Sequence, residues 1–231
     1  MKAAIIAAGE GSRLRSEGMT TSKPLVLLDG VPLIERLIRS FVRAGVSEVA
    51  CIVNEYSLEV KSFLETSDFG VPVRLVVRTT PSSMHSLFAL APQLKGERFL
   101  LSTVDTVFDE GEFTRYLRYG FSNTSADGVL AVTDFIDDEN PLYVALDASK
   151  KILSFSKTDA SPWVTGGLYI LSDRIFAEME SVRREGIERL RNFLAYLVAR
   201  GYILEGFPFS KMVDIDHVHD IRAAEHFLRG S

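Results

Sequence analysis

Residues 2–25 read KAAIIAAGEGSRLRSEGMTTSKPL. The opening KAAIIAA, 2–8, is an unbroken apolar run of strand length. Such a run marks a strand buried on both faces, as in a parallel sheet. It breaks into a loop holding Gly9 and Gly11, then Arg13, then Lys23 ten residues later. Glycines here let the backbone pass close to a ligand and turn its N–H groups inward.

Three phosphate-binding patterns compete for this loop. A dinucleotide loop needs G-x-G-x-x-G, its third glycine allowing close helix packing. Leu14 stands in that third position. A Walker loop needs G-x-x-x-x-G-K-[ST], and no such string occurs. What remains is G-x-G-x-R followed by Ser22-Lys23-Pro24-Leu25. Arg13 and Lys23 there supply fixed positive charge without a cofactor.

Outward from the loop, strand and helix alternate. PLIERLIRSFVRAG, 32–45, has near-helical apolar spacing, opened by proline and closed by glycine. EVACIVN predicts a buried strand and SLEVKSFLET a short helix capped by Ser57. VPVRLVVR predicts a strand, MHSLFALAPQL a helix, and RFLLSTVD a strand ending in an aspartate. This alternation over the first ~105 residues argues a parallel sheet with crossover helices. The second half predicts strands in DGVLAVTDF, PLYVALDA, KILSFSK and VTGGLYILS. Helices follow around 173–183 and 187–199, then strands in YILEGFPF and MVDIDHV and a terminal helix to Leu228. No repeat or linker divides the chain. The expectation is one domain over 1–231, an α/β fold with a mixed, mostly parallel, Rossmann-like sheet flanked by helices.

Composition suits this. The 231 residues are 46% apolar and 25% charged, with net charge −5. Nothing suggests a nucleic-acid or anionic-membrane partner. Cys51, the only cysteine, excludes an internal disulfide and a cysteine-based metal site. Within EVACIV it reads as a buried strand thiol. The first apolar run is too short for a signal peptide, and no stretch approaches the ~20 apolar residues of a membrane helix. A cytoplasmic enzyme or binding protein is expected.

AAGEGSRL and SKPL resemble the signature of the nucleotidyltransferase superfamily, roughly A-A-G-x-G-x-R-L and then P-K-P-L, with Ser22 replacing the first proline. Further matches follow in order: STVDTVF around Asp105, SFSKTD with the later VTGGLYIL, and MVDIDHVHDI. The resemblance implies a GT-A-like fold and attack by a substrate phosphate on the α-phosphorus of a nucleoside triphosphate, CTP or UTP favoured. It implies that Ala7, Ala8, Gly9, Glu10, Gly11 and Ser12 cradle base and phosphates, joined by Ser83 and Met84. Arg13 would clamp the departing β- and γ-phosphates, and Lys23 would neutralise the α-phosphate. Asp105 would bind Mg²⁺ with Asp214 or Asp216. These two are two apart on a short strand, where both side chains can face one side. Lys157 would meet the acceptor phosphate, and Gly166 and Gly167 would leave room for it.

The residues permit this chemistry. A phosphate monoester has a second pKa near ~6, so its oxygen attacks without a general base. No Ser–His–Asp or Cys–His arrangement is evident. The stretch TTPSSMHSLFAL, 79–90, departs from the G-T-A of sugar enzymes. It is similar to the SS-[ML]-x-[ST]-L of cytidylyltransferases acting on phosphocholine or inositol phosphate. Ser156 also stands where sugar enzymes often have glutamate. Trp163 reads as packing, and His217 and His219 as surface histidines. Two other readings stay open: a glycosyltransferase using a nucleotide sugar, and a non-catalytic nucleotide-binding homologue. The sequence leaves nucleobase, acceptor and oligomeric state open.

Overall fold

The computed structural model describes residues 1–136, 141–158 and 161–230. Asp159, the end of the SFSKTD stretch, lies outside them. The first half runs β1 (Lys2–Ala7), α1 (Ser12–Ser16), a 3₁₀ turn (Lys23–Leu25), β2 (Leu27–Leu28), β3 (Val31–Pro32), α2 (Leu33–Arg43), β4 (Glu48–Val53), α3 (Leu58–Thr66), β5 (Val73–Val77), α4 (Ser83–Leu94) and β6 (Phe99–Thr103). The rest runs β7 (Thr106–Phe108), α5 (Glu110–Ser122), β8 (Gly128–Thr133), β9 (Tyr143–Leu146), β10 (Ile152–Ser156), β11 (Trp163–Leu171), a 3₁₀ segment (Asp173–Glu178), α6 (Met179–Arg184), α7 (Leu190–Ala199), β12 (Leu204–Phe209), β13 (Met212–Asp214) and α8 (Val218–Arg229).

A nine-stranded mixed sheet organises the chain, in the order β10-β9-β11-β6-β1-β4-β5, with β8 on β11 and β12 on β8. The expected parallel half is there: β1 pairs in parallel with β4 and β6, and β4 with β5. β11 then runs antiparallel to β6, β8 and β9 and joins the second half to the first. The continuous apolar run of β1 is explained by its two faces. Ala3, Ile5 and Ala7 pack into one core with α2, α3 and α5. Ala4 and Ile6 pack into the other with α4 and α7. Each fully buried side chain such as Phe41 or Phe99 is worth roughly 1.5–3 kcal/mol of burial.

Two local expectations differ. Ser57 stands at the start of α3, but its side chain makes no cap hydrogen bond. The MVDIDHV strand ends at Asp214, so Asp216 lies beyond it. Two helices are unexpected: α1 lies within the stretch expected as loop, and α5 where no element is expected.

Topology places the cleft. From β1 the chain goes to β4 and β5 on one side and returns to β6 on the other. The carboxyl ends of β1 and β6 therefore diverge, and in open α/β sheets such a crevice is where ligands bind.

Candidate active site

Gly9 and Gly11 lie just past the carboxyl end of β1. Gly11 has φ 61° and ψ 37°, the left-handed conformation that favours glycine, and stands at the N-cap of α1. A Cβ there would come within 3.1 Å of the Lys23 Cβ. Gly11 thus lets the loop fold back onto Lys23. Leu14, which breaks the dinucleotide pattern, is buried in a small apolar cluster with Val213, Ile215 and Ala224. It pins α1 to the segment from β13 to α8.

That segment delivers its carboxylates to the loop. Lys23 Nζ donates to Asp105 Oδ2 at 2.5 Å and to Asp216 Oδ1 at 2.7 Å. Arg13 Nη1 donates to the other Asp216 oxygen. Asp105 lies in the turn between β6 and β7 rather than on the strand, and its carbonyl accepts the Ile215 N–H at 3.1 Å. Asp214 turns elsewhere: its Oδ1 accepts from Thr106 Oγ1 at 2.9 Å, and Thr106 lies 3.0 Å from the Thr103 hydroxyl.

The electrostatics follow. Burial pulls the Lys23 ammonium down, but the Asp105 and Asp216 charges outweigh it and hold its pKa well above the usual lysine value. Burial pushes Asp105 up, and the Lys23 charge and hydrogen bond more than reverse this, so it stays ionised. For Asp214 the Thr106 hydrogen bond and the Lys23 charge offset less. Burial and the neighbouring Asp105 charge raise its carboxyl to about 7. It faces the open cleft, so water screens part of the burial effect. The nearby Asp105 charge keeps the direction upward.

Two clefts meet here. One, of about 340 Å³, is lined by Gly9, Gly11, Ser12, Ser83 and Asp105, among others. The second, of about 160 Å³, is lined by Thr133, Phe135, Gly166, Asp214 and the two histidines, among others. Arg13 and Asp216 line both. The larger cleft has the loop glycines and the N-terminus of α4, whose free N–H groups favour anions. The smaller begins across the Arg13–Asp216 pair.

Other residues singled out in the sequence fall in different places. Ala7 ends β1 and is buried, Ala8 is half-buried, and Glu10 is exposed. Ser83 opens α4 on the cleft wall, but the Met84 side chain is fully buried in the core, leaving only its backbone for a ligand. Gly166 and Gly167 sit on β11. The space a Cβ would take is already filled, by Met212 beside Gly166 and by the Thr106 and Thr103 hydroxyls beside Gly167. Lys157 is exposed just past β10 and lines neither cleft. Trp163 packs against the core. His217 and His219 stack at 5.4 Å and line the smaller cleft.

Among the described residues no three His, Cys, Asp or Glu side chains form a ready-made cage. The donor set is all oxygen, and Asp214 carries a carboxylate that no lysine or arginine bonds. That fits a hard cation such as Mg²⁺, which takes one or two carboxylates and completes its shell with water and phosphate oxygens.

Known proteins resemble the chain along most of its length. A 2-aminoethylphosphonate cytidylyltransferase of Lancefieldella rimae is 27% identical over 244 residues, covering 97% of this chain and 92% of that protein. A probable mannose-1-phosphate guanylyltransferase of Oryza sativa subsp. japonica is 26% identical over 222 residues, covering 89% of this chain. A nucleotidyltransferase of low-salt glycan biosynthesis from Haloferax volcanii is 24% identical over 216 residues, again 89% of this chain. The matches span only 61% and 59% of the lengths of these last two proteins. Among solved structures, the inositol-1-phosphate CTP transferase from T. maritima superposes with a TM-score of 0.83 at 23% identity, covering 99% of this chain and 96% of that one. At that identity the likeness shows a shared fold. Residues 3–199 match the family of the MobA-like NTP transferase domain, and with most of its length inside that match the chain belongs to this nucleotidyltransferase family.

Proposed function

We propose that the chain transfers a nucleoside monophosphate from a nucleoside triphosphate, CTP first, to the phosphate or phosphonate of a small molecule. One observation carries the reading. Lys23 and Arg13 converge on the two oxygens of Asp216 at the junction of the two clefts. Two cations at that spacing suit neighbouring phosphates, and Asp216 occupies the place such an anion would take.

The triphosphate lies in the larger cleft and the acceptor in the smaller. The acceptor oxygen is already anionic at neutral pH. It attacks the α-phosphorus, the bond to the bridging oxygen breaks, and pyrophosphate leaves with that electron pair. Lys23 offsets charge on the α-phosphate, and Arg13 holds the departing pair. Positioning and fixed charge therefore supply the catalysis. Asp105 and Asp214 would hold Mg²⁺, which supplies further neutralisation of phosphate charge when bound. CTP is favoured by the Ser82-Ser83-Met84 stretch and by the cytidylyltransferase relative matched over nearly its whole length. No helix among the described residues is long and apolar enough to cross a membrane. A cytoplasmic location is part of the proposal.

The test is pyrophosphate release. CTP, UTP, GTP and dTTP are each mixed with choline phosphate, inositol phosphate, 2-aminoethylphosphonate and several sugar-1-phosphates. The expected result is release with CTP and one acceptor class, dependent on Mg²⁺. No release with any pair overturns the reading, as does release of nucleoside diphosphate from a nucleotide sugar.

A further inference from the structure

Arg13 has two claimants, Asp216 in this structure and a phosphate in the proposed reaction. When it changes partner, the Arg13–Asp216 bond between α1 and the β13–α8 segment is lost. A second bond joins the same two pieces. Glu17 stands just past the end of α1, at its C-cap, four residues after Arg13, a spacing that puts the two on one side of the turn. Its Oε2 accepts the Val218 N–H at 2.7 Å, and its Oε1 accepts from His217 Nδ1. An ionised carboxylate only accepts, so that proton belongs to Nδ1.

Val218 is the first residue of α8, where backbone N–H groups lack helical partners and the helix dipole is positive. Asp220 takes the neighbouring Asp216 and His217 N–H groups at 2.9 and 2.6 Å. Glu17 takes the next one, from a position 201 residues away. The Val218 bond and then the His217 bond hold its carboxyl below the usual glutamate range, so the contact keeps its charge at neutral pH. Leu14, buried between these two contacts along α1, supplies the apolar contact to the same segment. With Arg13 released, the Glu17 bonds still tie α1 to the start of α8.

We propose that Glu17 is a positioning residue, holding α1 on the N-terminus of α8 so that Arg13 can leave Asp216 for a phosphate while the loop stays docked. The proposal rests on the nucleotidyl-transfer reading only for the identity of the incoming group.

Glu17→Ala and Glu17→Gln test it. Inorganic tripolyphosphate is the binding probe, because it needs neither base nor acceptor, and amide hydrogen exchange at Val218 reads the contact without any ligand. Glu17→Ala is expected to speed Val218 exchange and to raise the tripolyphosphate Kd about tenfold, a coupling of ordinary size for linked contacts. Its KM for the nucleotide should rise with the Kd, kcat should fall by a smaller factor because Arg13 also holds the departing pyrophosphate, and the acceptor KM should stay within about twofold. Glu17→Gln keeps an oxygen for Val218 and should recover most of the affinity. A merely structural role would lower the melting temperature and would not split KM from kcat. Equal tripolyphosphate binding in wild type and Glu17→Ala, unchanged Val218 exchange, or no tripolyphosphate binding by wild type overturns the proposal. Wild type that binds tripolyphosphate but releases no pyrophosphate with any substrate pair would instead count against the nucleotidyl-transfer reading alone.

Discussion

Lys23 Nζ lies 2.7 Å from Asp216 Oδ1, and 193 positions of chain separate the two residues. The same ammonium lies 2.5 Å from Asp105. One loop lysine therefore neutralises carboxylates from β6–β7 and from the β13–α8 segment at once. Removing it leaves Asp105 and Asp216 without their shared cation, with Asp214 close by. Lys23→Ala is expected to lower kcat by about 10²–10³-fold, the usual effect of losing one fixed charge on the reacting group. In metal-free buffer it should also lose roughly 1–3 kcal/mol of stability, less than a fully buried pair because the carboxylates touch water. Near wild-type turnover would end the catalytic role. The folded pKa of Lys23 is raised, so the stabilisation is complete below the ordinary lysine value. It is lost only as pH climbs through the still higher folded one. Acidic or neutral buffers should not mimic the mutation through Lys23.

Asp214 carries the opposite balance. Its carboxyl is raised from 3.8 to about 7 by burial and by Asp105. Between those values the folded chain keeps a proton that the unfolded chain has released, so stability falls as pH rises across that window. Asp214→Asn is expected to raise the melting temperature in EDTA at pH 8 and to change it little near pH 4. Melting curves at the two pH values decide this, and equal gains at both would sink the argument. If Asp214 holds Mg²⁺, wild type gains stability on adding the metal and the variant gains less.

Much of the first half was legible because its strands are buried on both faces. The apolar runs of β1 and β4 need no partner to be read as central strands. α5 was missed although its signal exists. Phe113, Tyr116, Leu117 and Gly120 face inward at helical spacing, and Asp109 accepts the Glu112 N–H at 2.7 Å as a cap. Two glycines and four aromatic residues in thirteen dilute its helix propensity. In the site, Arg13 and Lys23 stand out as fixed charges beside a glycine loop, whereas Asp105 is picked out by the family resemblance alone. That Asp216 meets both cations while Asp214 meets neither was not legible. Strand spacing puts residues two apart on one face, and β13 stops between them. Glu17 gave no signal, since its partners Val218 and His217 lie at the other end of the chain.

Gly166 and Gly167 should respond differently to alanine. A Cβ on Gly166 would sit 2.1 Å from the Met212 sulfur, the flexible part of a side chain that can swing aside. A Cβ on Gly167 would sit 2.2 Å from Thr106 Oγ1 and 3.0 Å from Thr103 Oγ1, and φ there is +75°. Gly167→Ala combines a left-handed backbone with displacement of the hydroxyl that holds Asp214. It is expected to cost roughly 2–4 kcal/mol, and Gly166→Ala at least about 1 kcal/mol less. Urea unfolding of the two variants checks the order. Equal losses, or the reverse order, would show that Met212 is the more rigid neighbour.

Cys51 should be inert in the folded protein. It lies in the middle of β4, paired with Ile5 of β1 and Leu75 of β5. Burial pushes its thiol up to about 12, and only the thiolate is a nucleophile. At pH 8 in native buffer a thiol reagent such as DTNB is therefore expected to leave it unmodified, and to label it completely in guanidinium. A central strand opens only with the most stable part of the fold. Slow native labelling should accordingly follow global stability, accelerating in Gly167→Ala by the factor its unfolding free energy dictates. Stoichiometric labelling of wild type within minutes would mean that β4 opens locally, and the double-sided burial argued for the central sheet would fail with it.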